Sequence, residues 1–157
     1  MMGLSIRYTM TTLLSDTEAV RTLVADMRRL AIGLSFEKVG PVVEIVRPLP
    51  LICFPFCPGN GCEVTAFGFC KLPLSERWQW SYSCCTQQAS RPEHGGLENF
   101  LRCHRAIISL LDAIKLSGLA RIEVEDDCGY WERRDAKKLG EAVQAWNDVA
   151  MSFPEDE

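Results

Sequence analysis

Several features that would place this chain in a familiar functional class are missing from its sequence. No stretch approaches the roughly 20 consecutive apolar residues that a membrane-spanning helix requires. Residues 1–10 include Arg7 within an alternating pattern and lack the apolar core of a signal peptide. The chain also has neither the six-residue glycine pattern of a dinucleotide site nor the lysine of a P-loop. We therefore expect a cytoplasmic protein without membrane association.

Basic residues are outnumbered by acidic ones. The chain has 17 Lys and Arg against 21 Asp and Glu, so its formal net charge is −4 at pH 7. Phosphate binding needs an excess of positive charge on one face, and the dipeptides Arg28-Arg29 and Arg133-Arg134 are too short to supply it. We therefore expect no nucleic-acid partner. The length of 157 residues predicts a single domain over residues 1–157.

Cysteine, by contrast, is abundant: the chain has eight, at irregular spacing. An even number would favour a disulfide framework in an exported protein, but without an export signal we expect reduced thiols. Cys57 and Cys62 flank the turn Pro58–Gly61 at a spacing that suits a zinc knuckle. No second close pair of Cys or His follows at a regular interval. We therefore predict no cofactor and keep zinc as the alternative.

Hydrophobic periodicity predicts an α+β fold. Residues 4–10 alternate as a strand, and a helix follows from the capping box of Ser15 and Glu18 to Gly33. Further strands are predicted at 41–46, 62–70, 78–85 and 120–125, and further helices at 97–117 and from Asp135 to a frayed acidic end at 155–157. Because the strands alternate, we predict a mostly antiparallel sheet with helices packed on one face. This is a ferredoxin-like (split βαβ) variant with an extra strand and a C-terminal helix.

Two segments are predicted to lie on the surface. The prolines and the strong turn within residues 47–62 indicate a long surface loop. The turn after residue 125 presents Tyr130 and Trp131, and aromatic residues beside charges are typical interface anchors. The densest acidic cluster is interpreted as a charged strand edge that resists unwanted pairing, and it comprises Glu123, Glu125, Asp126 and Asp127.

The histidine His104 is the most informative single residue. It falls inside the apolar stripe of the second long helix, where an unpaired imidazole would cost a few kcal/mol. We interpret it as a core residue with a hydrogen-bond partner, and a metal ligand or general base is the alternative. Cys103 cannot form a dyad with it, because adjacent helical residues do not face each other. A thiol nucleophile would have to be Cys84 or Cys85.

The second histidine, His94, precedes Gly95 and Gly96 at the start of the same helix. Glycines at this position could let a ligand reach the free N–H groups of the first turn, so the segment is a candidate anion or partner site. Glu93 and Glu98 flank it and would repel a phosphate. A turn that begins the helix is the interpretation that we prefer.

The run GGLENFLRCH from Gly95 to His104 and the run GYWERRD from Gly129 to Asp135 resemble small bacterial proteins of unknown function. The resemblance covers mainly the C-terminal half of the chain. It implies a soluble bacterial protein, and it implies no activity, ligand or site residue.

The functional expectation follows mostly from what is missing. No complete set of nucleophile, base and acid appears, which favours a non-enzymatic binding or regulatory module. Such a module would present residues 47–62 and the Tyr130-Trp131 turn to a protein partner. The alternative is a small metal-binding protein or enzyme that uses His104 or His94 with cysteines of the central sheet.

Overall fold

The computed structural model describes residues 4–151, within which the chain forms seven strands and four α-helices. The strands are β1 (Ser5–Thr12), β2 (Lys38–Val39), β3 (Val43–Ile45), β4 (Leu51–Cys57), β5 (Thr65–Lys71), β6 (Trp78–Cys85) and β7 (Arg121–Asp126). The helices are α1 (Thr17–Ile32), α2 (Gly96–Ser117), α3 (Tyr130–Arg133) and α4 (Ala136–Met151), with 3₁₀ turns at Gln87–Ser90 and Pro92–His94. The predicted fraying at 155–157 lies outside the described residues.

All seven strands belong to one sheet in the order β2-β4-β5-β6-β1-β7, with β3 also paired to β4. Every pair is antiparallel, so the predicted mostly antiparallel sheet is confirmed. No helix within residues 4–151 combines the length and the apolar character that crossing a membrane requires.

The two faces of the sheet differ in polarity. On β1, Ile6, Tyr8 and Met10 are buried, whereas Arg7 and Thr9 alternate with them on the other face. The buried face shares one core with the helices, whose contributions include Val20, Val24, Met27, Phe100, Ile107 and Leu111. An α+β fold with its helices on one face and a C-terminal helix is thus confirmed. A ferredoxin-like arrangement is compatible with it and remains a prediction.

The two ends of helix α1 lie close to the capping and glycine signals in the sequence. Its N-cap is Asp16, whose Oδ2 accepts a hydrogen bond from the Ala19 backbone N–H at 3.2 Å. The predicted capping box at Ser15 is therefore wrong by one residue. Gly33 follows the last turn, as predicted.

Residues 47–62 are not the predicted surface loop, because their centre is strand β4. Ile52, Phe54 and Phe56 alternate into the core and are almost completely buried. The prolines concealed this strand, since proline in a sheet interior removes a ladder hydrogen bond. Pro55 is tolerated because it lies opposite the residues that connect β2 to β3, where β4 has no paired strand on that side. The Pro55 carbonyl accepts the Gly40 N–H at 2.7 Å, and the sheet requires no N–H donor from Pro55.

Strands β5 and β6 pair over a short stretch only, at Cys70↔Gln79 and Lys71↔Trp78. Beyond these pairs the strands diverge, and the Ala66 carbonyl accepts from the Tyr8 hydroxyl at 2.9 Å and from Trp80 Nε1 at 3.0 Å. The aromatic face of β6 is accordingly only partly covered. Trp78 is buried, but Tyr82, stacked on Trp80, is exposed.

Antiparallel pairing gives the sheet two distinct ends. At one end Thr12 lies beside Trp78, and Arg121 lies beside Thr11; we call this the leucine end, after Leu13 in the loop that follows β1. At the opposite end β6 and β7 finish at Cys85 and Asp126. We call it the histidine end, because His104 lies there. Helix α2 runs from the histidine end to the leucine end.

Candidate functional site

His104 is the centre of a buried polar network at the histidine end. Its Nδ1 lies 2.8 Å from Thr86 Oγ1, and its Nε2 lies 3.1 Å from both carboxylate oxygens of Asp126. A carboxylate can only accept, so Nε2 donates to Asp126, while Nδ1 and the Thr86 hydroxyl share the second hydrogen bond. The network therefore joins the residue after β6 to α2 and to the end of β7.

Asp126 is held by more than the imidazole. Its Oδ1 accepts from the Cys128 backbone N–H and its Oδ2 from the Trp131 backbone N–H, both at 3.0 Å. Burial on its own would raise the pKa of this carboxyl. The hydrogen bond and charge of His104, together with the two backbone donors, outweigh burial and lower the pKa below its ordinary value. Asp126 is therefore ionised and satisfied at neutral pH.

The order Thr86–His104–Asp126 has the connectivity of a nucleophile–base–acid triad, but no substrate can reach it. Thr86 and His104 are completely buried, and the side chain of Asp126 has no exposed surface. A nucleophile must lie in a cleft where a reacting atom can approach within about 3 Å. Neither surface cavity described below includes any of the three residues. The network therefore acts as a structural connection between elements.

A metal is the other chemistry that these residues could support. Among residues 4–151, the set of three or more possible ligands is His104, Asp126 and Cys128, whose ligand atoms lie within 4.8 Å of one another. Burial raises the pKa of the Cys128 thiol to about 12, which works against the thiolate that zinc requires. This set includes neither Cys57 nor Cys62, so the structure does not bring the predicted knuckle to His104.

The candidate nucleophiles on β6 are unsuited to that role. Cys84 is completely buried, and its burial raises the pKa of its thiol to about 12. Cys85 points to the opposite face of the strand, and burial also raises its pKa. Both thiols are therefore protonated at neutral pH, whereas a nucleophilic cysteine needs a lowered pKa.

The segment of His94, Gly95 and Gly96 forms the turn that begins α2. The Gly95 N–H donates to the Pro92 carbonyl at 3.2 Å, and the Gly96 N–H donates to the Arg91 carbonyl at 2.9 Å. Both glycines have positive φ, 120° and 72°, which explains their presence in the turn. Since their N–H groups are already bonded, they are not free to hold an anion.

The aromatic pair after β7 is less accessible than the sequence predicts. Tyr130 is buried, with its hydroxyl accepting from Arg105 Nε at 3.2 Å. Trp131 is half-buried, with the guanidinium of Arg134 4.8 Å from its ring centroid and the ammonium of Lys115 5.5 Å away. The two residues stabilise the short helix α3, and they do not form an exposed interface anchor.

The leucine end contains a wide groove of about 1280 Å³. Leu13 and Leu14 from the β1–α1 loop, Trp78 from β6 and Leu119 from the α2–β7 loop are among its lining residues. Charges of both signs line it as well, contributed by Asp26, Glu76, Glu123, Arg77 and Arg121. A smaller cavity of about 400 Å³ lies between α2 and residues 34–35.

The partners of His104 were missed by the sequence interpretation. Asp126 was assigned to an exposed acidic cluster, but it is in phase with Ile122 and Val124, whose side chains point inward. That alternation could have identified it as buried. Thr86 carried no signal, because its position opposite His104 depends on the packing of α2. No protein family, curated protein or solved structure matches this chain, so the resemblance to small bacterial proteins remains a prediction.

Proposed function

We propose that this chain is a non-enzymatic, cytoplasmic binding module that holds an apolar segment of a protein partner in the groove at the leucine end. The observation that carries the proposal is the exposure of three leucines at that end, two of them in loops and one in the last turn of α2. Leu13 has a relative exposure of 105%, Leu74 of 109% and Leu116 of 87%. Scattered exposed leucines are ordinary in soluble proteins, but Leu13 also lines the groove together with Leu14 and Leu119, and apolar surface of this kind marks an interaction site.

The size and charge of the groove favour a protein segment as its occupant. Small-molecule sites usually have volumes of about 300–1,000 Å³, and this groove is larger and open. Its charged residues are of both signs, which suits neither a phosphate backbone nor an anionic membrane. An amphipathic helix that places its apolar face against Leu13, Leu14 and Leu119 satisfies these conditions.

The histidine end supports the non-enzymatic part of the proposal. The arrangement of Thr86, His104 and Asp126 resembles a catalytic triad, but its side chains are buried and form hydrogen bonds with one another. The surfaces named from the sequence, residues 47–62 and the Tyr130-Trp131 turn, are replaced by the groove because their aromatic and apolar residues are largely packed.

The test uses a phage library of helical peptides selected against the full chain. Selected peptides should shift the backbone NMR signals of residues 13–14, 77–78 and 118–120. The double variant Leu13→Ser/Leu14→Ser should lose at least about tenfold in affinity, since each buried leucine contributes about 1.5–3 kcal/mol. The control Val64→Ser removes an exposed apolar side chain that precedes β5 at the opposite end. Peptides that map elsewhere, or that bind the double variant equally well, would contradict the proposal.

A metal-binding role is the second candidate, and the cluster of His104, Asp126 and Cys128 favours it. A zinc ion there would replace the hydrogen bond between His104 and Asp126. Protein purified without chelators would retain about one equivalent of zinc through dialysis, and the Cys128→Ser variant would lose it while staying folded. That result would establish the metal site, and zinc-free wild-type protein that cannot be loaded would exclude it.

A further inference from the structure

Leu74, in the turn that joins β5 to β6, combines two unfavourable features. Its side chain is completely exposed, and its backbone has a φ of 59°, in the left-handed region. Residues with a bulky side chain rarely adopt this conformation. Hydrogen bonds hold the turn in place: the Leu72 N–H donates to the Arg77 carbonyl, and the Arg77 N–H donates to Ser75 Oγ, both at 3.0 Å. Neither burial nor backbone preference therefore explains a leucine at this position.

Arg134 is the other non-glycine residue with a positive φ among residues 4–151, and its surroundings differ. Its side chain pairs with Asp112, donates to the Trp131 carbonyl and lies over the Trp131 ring. These contacts offset the strained backbone of Arg134. Within the described part of the chain Leu74 has no comparable contacts, and strained residues are characteristic of binding sites. We therefore expect the offsetting contacts of Leu74 to come from a bound partner.

Leu74 lies at one end of a row of apolar residues at the leucine end. The sheet order places the β5–β6 turn beside the end of β1, and the start of β7 on the other side of β1. The row runs from Leu74 through Leu13 to Leu119. Leu13, Leu119 and residues 76–78 of the turn and β6 line the groove. Since neighbouring strands are about 4.8 Å apart, the row spans about two and a half strand spacings, or about 12 Å.

We propose that a helix of the partner lies across the strand ends and places apolar residues i, i+4 and i+8 against Leu74, Leu13 and Leu119. This inference rests on the proposed function and adds the orientation and spacing of the bound segment. Eight residues of an α-helix rise about 12 Å, which matches the length of the row. Residues at this spacing lie on one face of a helix. Burial of Leu74 in the complex then accounts for a leucine that the free protein exposes at a strained position.

The experiment compares two synthetic peptides of about 16 residues, each held helical by a lactam bridge on its polar face. The matched peptide has leucine at positions 3, 7 and 11. The control peptide has the same composition with leucine at positions 3, 7 and 14, which lie on one face but span about 16 Å. Fluorescence anisotropy with the full chain measures both affinities. We expect the matched peptide to bind at least about tenfold more tightly, because it makes one more leucine contact.

The variant Leu74→Asn tests the residue itself. Asparagine tolerates a positive φ, so the variant should keep a urea midpoint at or above the wild-type value. Its affinity for the matched peptide should nevertheless fall at least about tenfold. Val64→Ser, at the opposite end, is the control and should bind as the wild type does. A lower midpoint or an unchanged affinity in Leu74→Asn would overturn the proposal.

Alanine substitution in the matched peptide tests the order of the contacts. The loss caused by Leu74→Asn should be coupled to one terminal leucine of the peptide, at position 3 or 11. Coupling to the central leucine at position 7 would refute the proposed order.

Failure of this inference is distinguishable from failure of the proposed function. Equal affinities of the two peptides, with NMR shifts at residues 13–14, 77–78 and 118–120, would overturn the proposed spacing and leave the proposed function in place. If no helical peptide, selected or synthetic, shifts those signals, the proposed function itself is overturned.

Discussion

The two ends of the sheet use chemically different residues in opposite ways. The histidine end contains His104, Asp126 and Thr86, the residue types from which catalytic sites are made, and buries all three side chains. The leucine end exposes Leu13 and Leu74, the residue type from which cores are made. Residue type alone therefore does not distinguish a core residue from a surface residue in this chain, whereas accessibility does. A buried, fully bonded polar network contributes to stability, and under the proposed function the exposed apolar loop contributes to binding.

Helix α2 links the two ends, and its own composition changes along its length. His104 in its first half is completely buried against β7, and Leu116 in its last turn is exposed. A substitution at the histidine end should therefore change the free energy of unfolding. A substitution at the leucine end should leave that free energy unchanged and act on binding alone. Substitutions at the histidine end are therefore expected to have the largest effects on stability.

The largest effect is expected for His104→Ala. The substitution leaves a cavity and removes the side-chain partner of the buried Asp126 carboxylate, so we expect a loss of about 3–5 kcal/mol in unfolding free energy. Urea unfolding followed by circular dichroism measures it. His94→Ala is the matched control at the other histidine and should cost less than about 1 kcal/mol. Equal losses in the two variants would remove the distinction between a completely buried histidine and a partly exposed one.

Thr86→Val should have an intermediate effect. Valine has nearly the shape of threonine, so the change removes the hydrogen-bond partner of His104 Nδ1 and leaves that buried nitrogen unsatisfied. We expect a loss of about 1–3 kcal/mol in unfolding free energy, measured in the same way. Thr9→Val is the control, because the Thr9 hydroxyl meets Ser81 on the exposed face. A Thr86 variant as stable as the wild type would show that the bond contributes nothing.

A smaller effect is expected in the acid range. The folded-state pKa of Asp126 lies below its ordinary value of 3.8, so its ionised form stabilises the fold above that pH. This contribution is lost as the pH falls through the folded-state pKa. Unfolding free energy measured from pH 7 to pH 3 should therefore decline less steeply in Asp126→Asn. Glu123→Gln, at an exposed position, should keep the wild-type slope, and an unchanged slope in Asp126→Asn would contradict the assignment.

The smallest effect on stability is expected at the leucine end. Leu13 makes little contact with the core, so Leu13→Ser should change the free energy of unfolding by no more than about 0.5 kcal/mol. Chemical denaturation of this variant beside Val64→Ser provides the comparison. A loss above 1 kcal/mol would show that Leu13 packs in the folded protein, and the contrast between the two ends would then fail.

Local patterns determined much of the fold. The alternation in β1 set which of its faces is buried, and helical periodicity placed α1 and α2 within a few residues of their bounds. The same periodicity placed His104 on the buried side of α2. These features depend on residues near one another in sequence, for which the periods of strand and helix are sufficient.

Contacts between distant segments were decided only by the tertiary structure. Pro55 can lie inside the sheet because β2 and β3 pair with β4 on either side of it and not at Pro55 itself. No local sequence pattern predicts this arrangement. Asp126 is buried because it lies opposite His104, and residues 58–60 lie against α2 because Asn99 and Arg102 donate to their backbone carbonyls. Each of these placements joins residues far apart in the chain. Their distances follow from strand register and helix docking, which the sequence specifies only through the whole fold.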